Sequence, residues 1–266
     1  MFKQRVVTGM ILALAVFGAI AFVNSELLAV LVLIMLLVGG WEWANLVGIQ
    51  NNAARAGYLI LTAAACAAVV WFAPLNLVAI YAGTAWWTFV VVLLSFIRHV
   101  PHGASPLHYL LKAAGPPVLA VLLASIYWIH QQGWQWLFYL VLLTSLADTG
   151  AYLSGKTFGK RKLAPELSPG KTLEGLFGAL LFSGVAAAAA GKIFGLPLGD
   201  GVYLVLLSLL VVVVSVFGDL FESLLKRAAG AKDSGHILPG HGGILDRVDS
   251  LTAAAPVFAL GLRYMH

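Results

Sequence analysis

Nine stretches of this chain are too apolar to settle anywhere but in lipid or in a fully buried core: 6–23, 27–41, 58–73, 78–97, 113–129, 134–152, 173–194, 202–225 and 251–265. A helix needs roughly 17–25 apolar residues to cross a bilayer, and these runs, bounded by charges, prolines and glycine-rich turns, fall in or near that window. A soluble domain carries about 25% charged and 45–50% apolar residues. Here 61% of residues are hydrophobic and 10% charged, with a mean hydropathy of +0.94. That balance excludes a water-soluble fold, a disordered chain, a collagen and a coiled coil. The single cysteine, Cys66, excludes a disulfide scaffold. Lys3 and Arg5 ahead of the first run resemble the start of a signal peptide, but no small-residue cleavage site follows, so the run is read as a span.

The net charge of +5 is explained by sidedness and not by nucleic acid, because the basic residues are scattered and lack interleaved aromatics. Nine spans put the amino terminus and every even-to-odd connection on one face. Of the 16 lysines and arginines, all but Lys192 and Arg263 fall there. Basic residues are retained on the cytoplasmic side, which predicts a cytoplasmic amino terminus and an outside carboxyl terminus. Trp41, Trp43, Trp86, Trp87, Trp128, Trp134 and Trp136 lie near span ends, where an interfacial aromatic belt is expected. No repeat or pair of matched halves is evident, which weighs against an inverted-repeat transporter.

Nearly all the chemistry lies after Thr144. Asp148 closes an apolar run, where a carboxylate must be near the membrane edge, paired with a basic residue such as Lys156, or holding a cation. The basic segment that follows ends in Gly170-Lys171-Thr172. A Walker-type loop would need glycine where Pro165 stands and a strand in front. What remains is a glycine- and lysine-rich loop feeding a helix amino end, a place that offers N–H donors and a positive dipole to phosphate.

Asp219, Glu222, Ser223 and Lys226 recur at i, i+3, i+4 and i+7, a polar stripe on an otherwise apolar helix. Lipid cannot satisfy such a stripe, so it should face the protein interior or a wet cavity. An internal Glu222–Lys226 salt bridge is the plainer alternative. Downstream, His241-Gly242-Gly243 would let the backbone approach a ligand and turn N–H groups toward an anion. If the last helix begins near Leu245, Asp246 and Asp249 share one face. Three aspartates, Asp219, Asp246 and Asp249, among lysines and arginines suit Mg²⁺, which takes one or two carboxylates plus substrate phosphates. Asp246 as a helix cap and Arg247 as a surface charge is the bland reading. His241, amid glycines, is a candidate for phosphate contact or proton transfer. His99 and His102, separated by Pro101, read as a loop pair.

These residues resemble the signature of the phosphatidate cytidylyltransferases, or CDP-diacylglycerol synthases. The resemblance rests on Ser223, Lys226-Arg227, Lys232-Asp233, Gly235, Pro239, His241-Gly242-Gly243, Asp246-Arg247 and Asp249. Upstream it extends to Asp148, Ala151-Tyr152, Gly155, Phe158-Gly159, Ser168-Pro169, Lys171-Thr172 and Glu174-Gly175, with Gly170 where a second lysine is common. In the first 140 residues only hydropathy and Trp41-Glu42-Trp43 agree.

The resemblance implies transfer of CMP from CTP to phosphatidic acid, giving CDP-diacylglycerol and pyrophosphate. It implies Asp219, Asp246 and Asp249 around Mg²⁺, with a monovalent cation such as K⁺ as a second ion. Lys226, Arg227, Lys232 and Arg247 would surround the phosphates, supported by Ser223, Gly242, Gly243, Lys171, Lys156 and Asp148. His241 joins the aspartates as a catalytic residue. It further implies a homodimer in the bacterial inner membrane. The expected architecture is an all-α polytopic integral membrane protein of about nine transmembrane helices, with its active site at the cytoplasmic side of the carboxy-terminal ones. We divide it into amino-terminal helices (1–112), a middle region (113–200) with a basic cytoplasmic loop (153–172), and a catalytic signature region (201–266). A cytidylyltransferase for another phosphorylated lipid and an ion-coupled transporter are the alternatives.

Overall fold

The computed structural model describes residues 2–97, 105–237 and 242–265. Among these, nine helices account for almost all of the chain, one for each apolar run. They are α1 (Phe2–Phe22), α2 (Ser25–Leu46), α3 (Asn52–Trp71), α4 (Ala73–Phe96), α5 (Pro106–Gln132), α6 (Trp134–Phe158), α7 (Leu173–Ile193), α8 (Leu198–Ala228) and α9 (Leu245–Arg263). Seven of the described helices, α2 through α8, are long and apolar enough to cross a membrane. The protein is therefore a membrane-embedded chain of the all-α class.

Most helices outrun their apolar stretches, and at α2, α3, α5 and α7 a side-chain cap, not hydropathy, sets where the helix starts. Asn51 accepts from the N–H groups of Ala53 and Ala54 and starts α3 well before Tyr58. Ser105 does the same for α5 through the N–H of His108. The 31 residues of α8 reach about 46 Å at 1.5 Å per residue, well beyond a hydrocarbon layer of about 30 Å. At that length α8 must tilt strongly or carry some of its turns beyond the hydrocarbon layer.

The middle of the bundle is α5, buried along most of its length from Leu111 to His130, with α9 packed against it. It carries Pro116 and Pro117 inside the helix. Membrane helices tolerate such breaks when neighbours satisfy the freed carbonyls. On one flank α7 lies against α6 and α8; on the other α3 packs on α5.

Two expectations change. The segment 153–172 is not a plain loop: α6 runs on to Phe158, and an antiparallel hairpin follows, β1 (Lys162–Ala164) with β2 (Ser168–Thr172). Thr172 then accepts from the N–H of Gly175 and starts α7 without a linker. Glu174, one residue into α7, accepts from the N–H groups of Lys160 and Arg161 and pairs with the Arg161 guanidinium at 3.2 Å. Basic charges in the segment thus fold back on an acid that the chain itself supplies.

The tryptophans are not a uniform belt either. Trp41 and Trp134 are exposed, whereas Trp43 and Trp87 are buried around Phe221 of α8, with ring centroids 6.1 and 5.5 Å away. The Trp43 indole N–H also donates to the Leu111 carbonyl at 2.9 Å. These contacts clamp α2, α4, α5 and α8 together; burial outweighs the rings' preference for the interface, with a polar partner for Trp43 and none for the Trp87 N–H among the described residues.

Candidate functional site at the ends of helices α8 and α9

The stripe of α8 meets the start of α9 because the two helices approach closely at Gly218. A side chain there would lie 2.7 Å from the Asp249 carbonyl oxygen and 2.9 Å from the Ala253 methyl. Only glycine fits, and the next residue, Asp219, is thereby brought beside Asp249. Asp249 lies near enough to Asp219 and Glu222 to feel both charges, and its Oδ1 accepts from the Ser250 N–H at 2.7 Å.

Two lysine–aspartate pairs flank Asp249. In the first, Lys171 of β2 reaches α8 and pairs with Asp219 at 2.7 Å, while its ammonium also points to the Val216 carbonyl at 3.4 Å. The Ser223 hydroxyl donates to the other oxygen of Asp219 at 3.3 Å. Asp148 of α6 shares this neighbourhood, within electrostatic range of both Asp219 and Lys171. Asp148, Tyr152, Lys171, Thr172, Val216 and Ser250 line a cavity of about 140 Å³.

In the second pair, Lys226 bridges Glu222 at 2.9 Å and Asp246 at 2.7 Å. The Glu222–Lys226 salt bridge and the α8–α9 contact thus coexist on one ammonium. The second oxygen of Asp246 accepts from the N–H of Ser234 at 3.0 Å, the Ser234 hydroxyl at 2.9 Å and the N–H of Gly243 at 2.8 Å. Asp246 is both an ion-pair partner and the knot of its own loop.

The rest of the predicted set is spread more widely. The Arg227 guanidinium turns to the Ala231 carbonyl at 3.3 Å and closes the turn after α8. Lys156 lies over the Tyr152 ring, 5.5 Å from its centroid, with its ammonium 3.4 Å from the phenol oxygen. Lys232 and Arg247 are exposed. Gly242 adopts a φ of +81°, a left-handed conformation that favours glycine. The N–H groups expected to face an anion near Gly243 are instead held by carboxylates: Gly243 by Asp246, and Ile244 and Leu245 by Glu42. His241, Pro239, His99 and His102 lie outside the described residues.

Sequence reasoning missed Glu42 and Ser234 as parts of this site. Glu42 is only 1% exposed, yet its sequence context shows an acid at the end of an apolar run and nothing of its partners nearly 200 residues away. The missing signal is long-range, and no helical period reports it.

Among the described residues no three His, Cys, Asp or Glu side chains converge into a ready-made metal cage. Mg²⁺ does not require one, since it binds through one or two carboxylates with water and substrate phosphates completing the shell. The local donors are all hard oxygens, and the buried Oε1 of Glu222 has no hydrogen-bond partner. Carboxylates crowded together with one oxygen unsatisfied fit a hard divalent cation.

Fold and site together define a membrane-embedded protein that gathers lysines and carboxylates where two of its carboxy-terminal helices meet. The chain belongs to the cytidylyltransferase family, whose model matches residues 3–265. It is similar to a phosphatidate cytidylyltransferase of Pseudomonas aeruginosa, 38% identical over 97% of this chain and 96% of that protein. A phosphatidate cytidylyltransferase of Haemophilus influenzae is 34% identical over 97% and 98% of the two chains. One from Bacillus subtilis is 46% identical over 48% of this chain and 47% of its own.

Proposed function

We propose that this protein transfers CMP from CTP to phosphatidic acid, producing CDP-diacylglycerol and pyrophosphate for phospholipid synthesis. The observation that carries the reading is the pair of lysine–aspartate contacts on either side of Asp249. One substrate is a lipid that never leaves the bilayer, and the other is a polyanion that arrives from water. A site at the end of a helix too long for the bilayer meets both.

An oxygen of the lipid phosphate attacks the α-phosphorus of CTP in line; the new O–P bond forms as the bond to the β-phosphate breaks, and pyrophosphate leaves with that electron pair. The chain supplies positioning and charge. In each pair the ammonium is neutralised by an aspartate. When nucleotide enters, Lys171 exchanges Asp219 for phosphate oxygens, Lys226 turns a remaining N–H to phosphate while keeping Asp246, and Arg227, Lys232 and Arg247 add positive charge at the rim. Ser223 holds Asp219 in its rotamer, and Glu42 and Ser234 hold the loop that carries Asp246. Asp219, Asp249 and Asp246 would hold Mg²⁺, Asp219 being freed for it as Lys171 turns to phosphate. That ion, when bound, neutralises charge on the nucleotide's phosphates. A monovalent cation such as K⁺ alongside it, and a homodimeric assembly, belong to the same proposal. So does the catalytic part given to His241.

The distribution of basic residues supports nine spans, a cytoplasmic amino terminus and site, and an outside carboxyl terminus, in the inner membrane of a bacterium. The decisive assay uses purified protein in mixed micelles with phosphatidic acid and each of the four nucleoside triphosphates, with and without Mg²⁺. Metal-dependent pyrophosphate and lipid-nucleotide from CTP is the expected result. No turnover with any nucleotide, from protein shown to be folded, would overturn the reading.

A further inference from the structure

We propose that Glu42, on α2, is a positioning residue that caps helix α9 from a distance and so holds Asp246 and Asp249 in register with α8. The idea rests on the function proposed above for its kinetic consequence, but not for its structural one.

A fully buried carboxylate needs donors, and Glu42 has three. Its Oε1 accepts from the N–H of Ile244 at 3.0 Å, and its Oε2 from the N–H of Leu245 at 2.9 Å and the Ser234 hydroxyl at 3.1 Å. The first turn of a helix exposes N–H groups that a neighbouring side chain normally caps. Here the residue in the capping position is Ile244, whose side chain cannot accept. Glu42 takes that role across the bundle, its negative charge at the positive end of the α9 dipole.

The loop is shaped to admit it. A methyl group at Gly243 or Gly235 would run into the Glu42 carboxylate. Trp43, the next residue, packs on Phe221 directly before Glu222, so α2 is fixed against the same turn of α8 that carries the site.

Ser234 couples the two acids. Its hydroxyl lies 3.1 Å from Glu42 and 2.9 Å from Asp246, and it has one proton for both. Displacing Glu42 therefore alters how Asp246 is held as well as how α9 begins. Through this contact the amino-terminal helices set the geometry of a site whose other residues lie beyond residue 147.

The test is Glu42→Gln, nearly isosteric but with an amide donor where an acceptor is needed. With CTP and phosphatidic acid, kcat should fall about ten- to a hundredfold, the range expected for losing a charge-assisted hydrogen bond in a site that depends on it, while KM for CTP changes by less than about threefold. Hydrogen exchange of the amides of Ile244 and Leu245, measured without substrate, should quicken. Gly243→Ala should reproduce both effects, and the double variant should be no worse than the poorer single one, since both act through one contact. Should Glu42→Gln fail to fold, Ser234→Ala, which removes only the shared hydroxyl, should still slow turnover and loosen the same amides. Wild-type kcat per folded molecule with unchanged exchange would overturn the proposal. Lowered thermal stability with unchanged kcat would overturn it too, by reducing Glu42 to a fold residue. If the wild type turned over no nucleotide, the exchange measurement would still decide whether Glu42 holds the loop.

Discussion

The Lys171–Asp219 and Lys226–Asp246 pairs have the same length, 2.7 Å, and different tenure. Lys171 and Asp219 are 23% and 29% exposed; Lys226 and Asp246 are 13% and 10% exposed. Besides its aspartate, Lys171 has among the described residues a carbonyl at 3.4 Å and the more distant charge of Asp148, whereas Lys226 holds a second carboxylate and Asp246 is tied by three further donors. The first pair can open at little cost to the rest of the protein. The second cannot open without loosening the α8–α9 junction, because Coulomb attraction strengthens and desolvation costs rise as a pair is buried. One site thus combines a hinged contact with an anchored one.

Breaking the anchored pair should have the largest effect. Asp246→Asn should lower turnover by more than about a thousandfold and lower stability by about 3 kcal/mol, because it leaves Lys226 with one partner fewer in a buried setting. Thermal unfolding in detergent alongside the pyrophosphate assay measures both. Asp219→Asn should lower turnover by at least about a hundredfold while stability changes by less than about 1 kcal/mol, as befits a partly exposed pair. Equal stability losses in the two variants would erase the distinction. Between the lysines, Lys226→Met should destabilise by about 2 to 3 kcal/mol more than Lys171→Met, since it strands Glu222 as well as Asp246. Lys171→Met should act chiefly on nucleotide affinity, raising KM for CTP about tenfold, an amount near 1.4 kcal/mol. The smallest effect belongs to Lys156→Ala: with its ammonium lodged over Tyr152, kcat/KM should fall by less than about twofold, within the range of an exposed charge.

The anchored side of this comparison was partly readable in the sequence. Asp219, Glu222, Ser223 and Lys226 share a helix face by spacing alone, and α9 does begin at Leu245, the condition under which Asp246 and Asp249 share a side. All nine apolar runs lie in helices, because a long apolar run must satisfy its backbone within itself whether it faces lipid or a protein core. Hydropathy could not report helix ends, which depend on caps such as Asn51 and Ser105. The hinged side was harder. Three- and five-residue strands carrying Pro169, Gly170 and two lysines have no alternation to betray them, so the hairpin that aims Lys171 at Asp219 read as a loop. Glu42 was the least legible of all, because its meaning lies in three donors from a segment almost 200 residues away.

The length of α8 has one more consequence. It is a single uninterrupted rod whose long apolar stretch leads into far turns that carry Asp219, Glu222, Ser223 and Lys226. A helix longer than the layer it crosses adjusts to membrane thickness by tilting. The Lys171 hairpin is joined to a different helix, α7, which packs along α8, so a lean that the two helices share keeps Lys171 facing Asp219, and the α7–α8 contact is the joint on which that alignment depends.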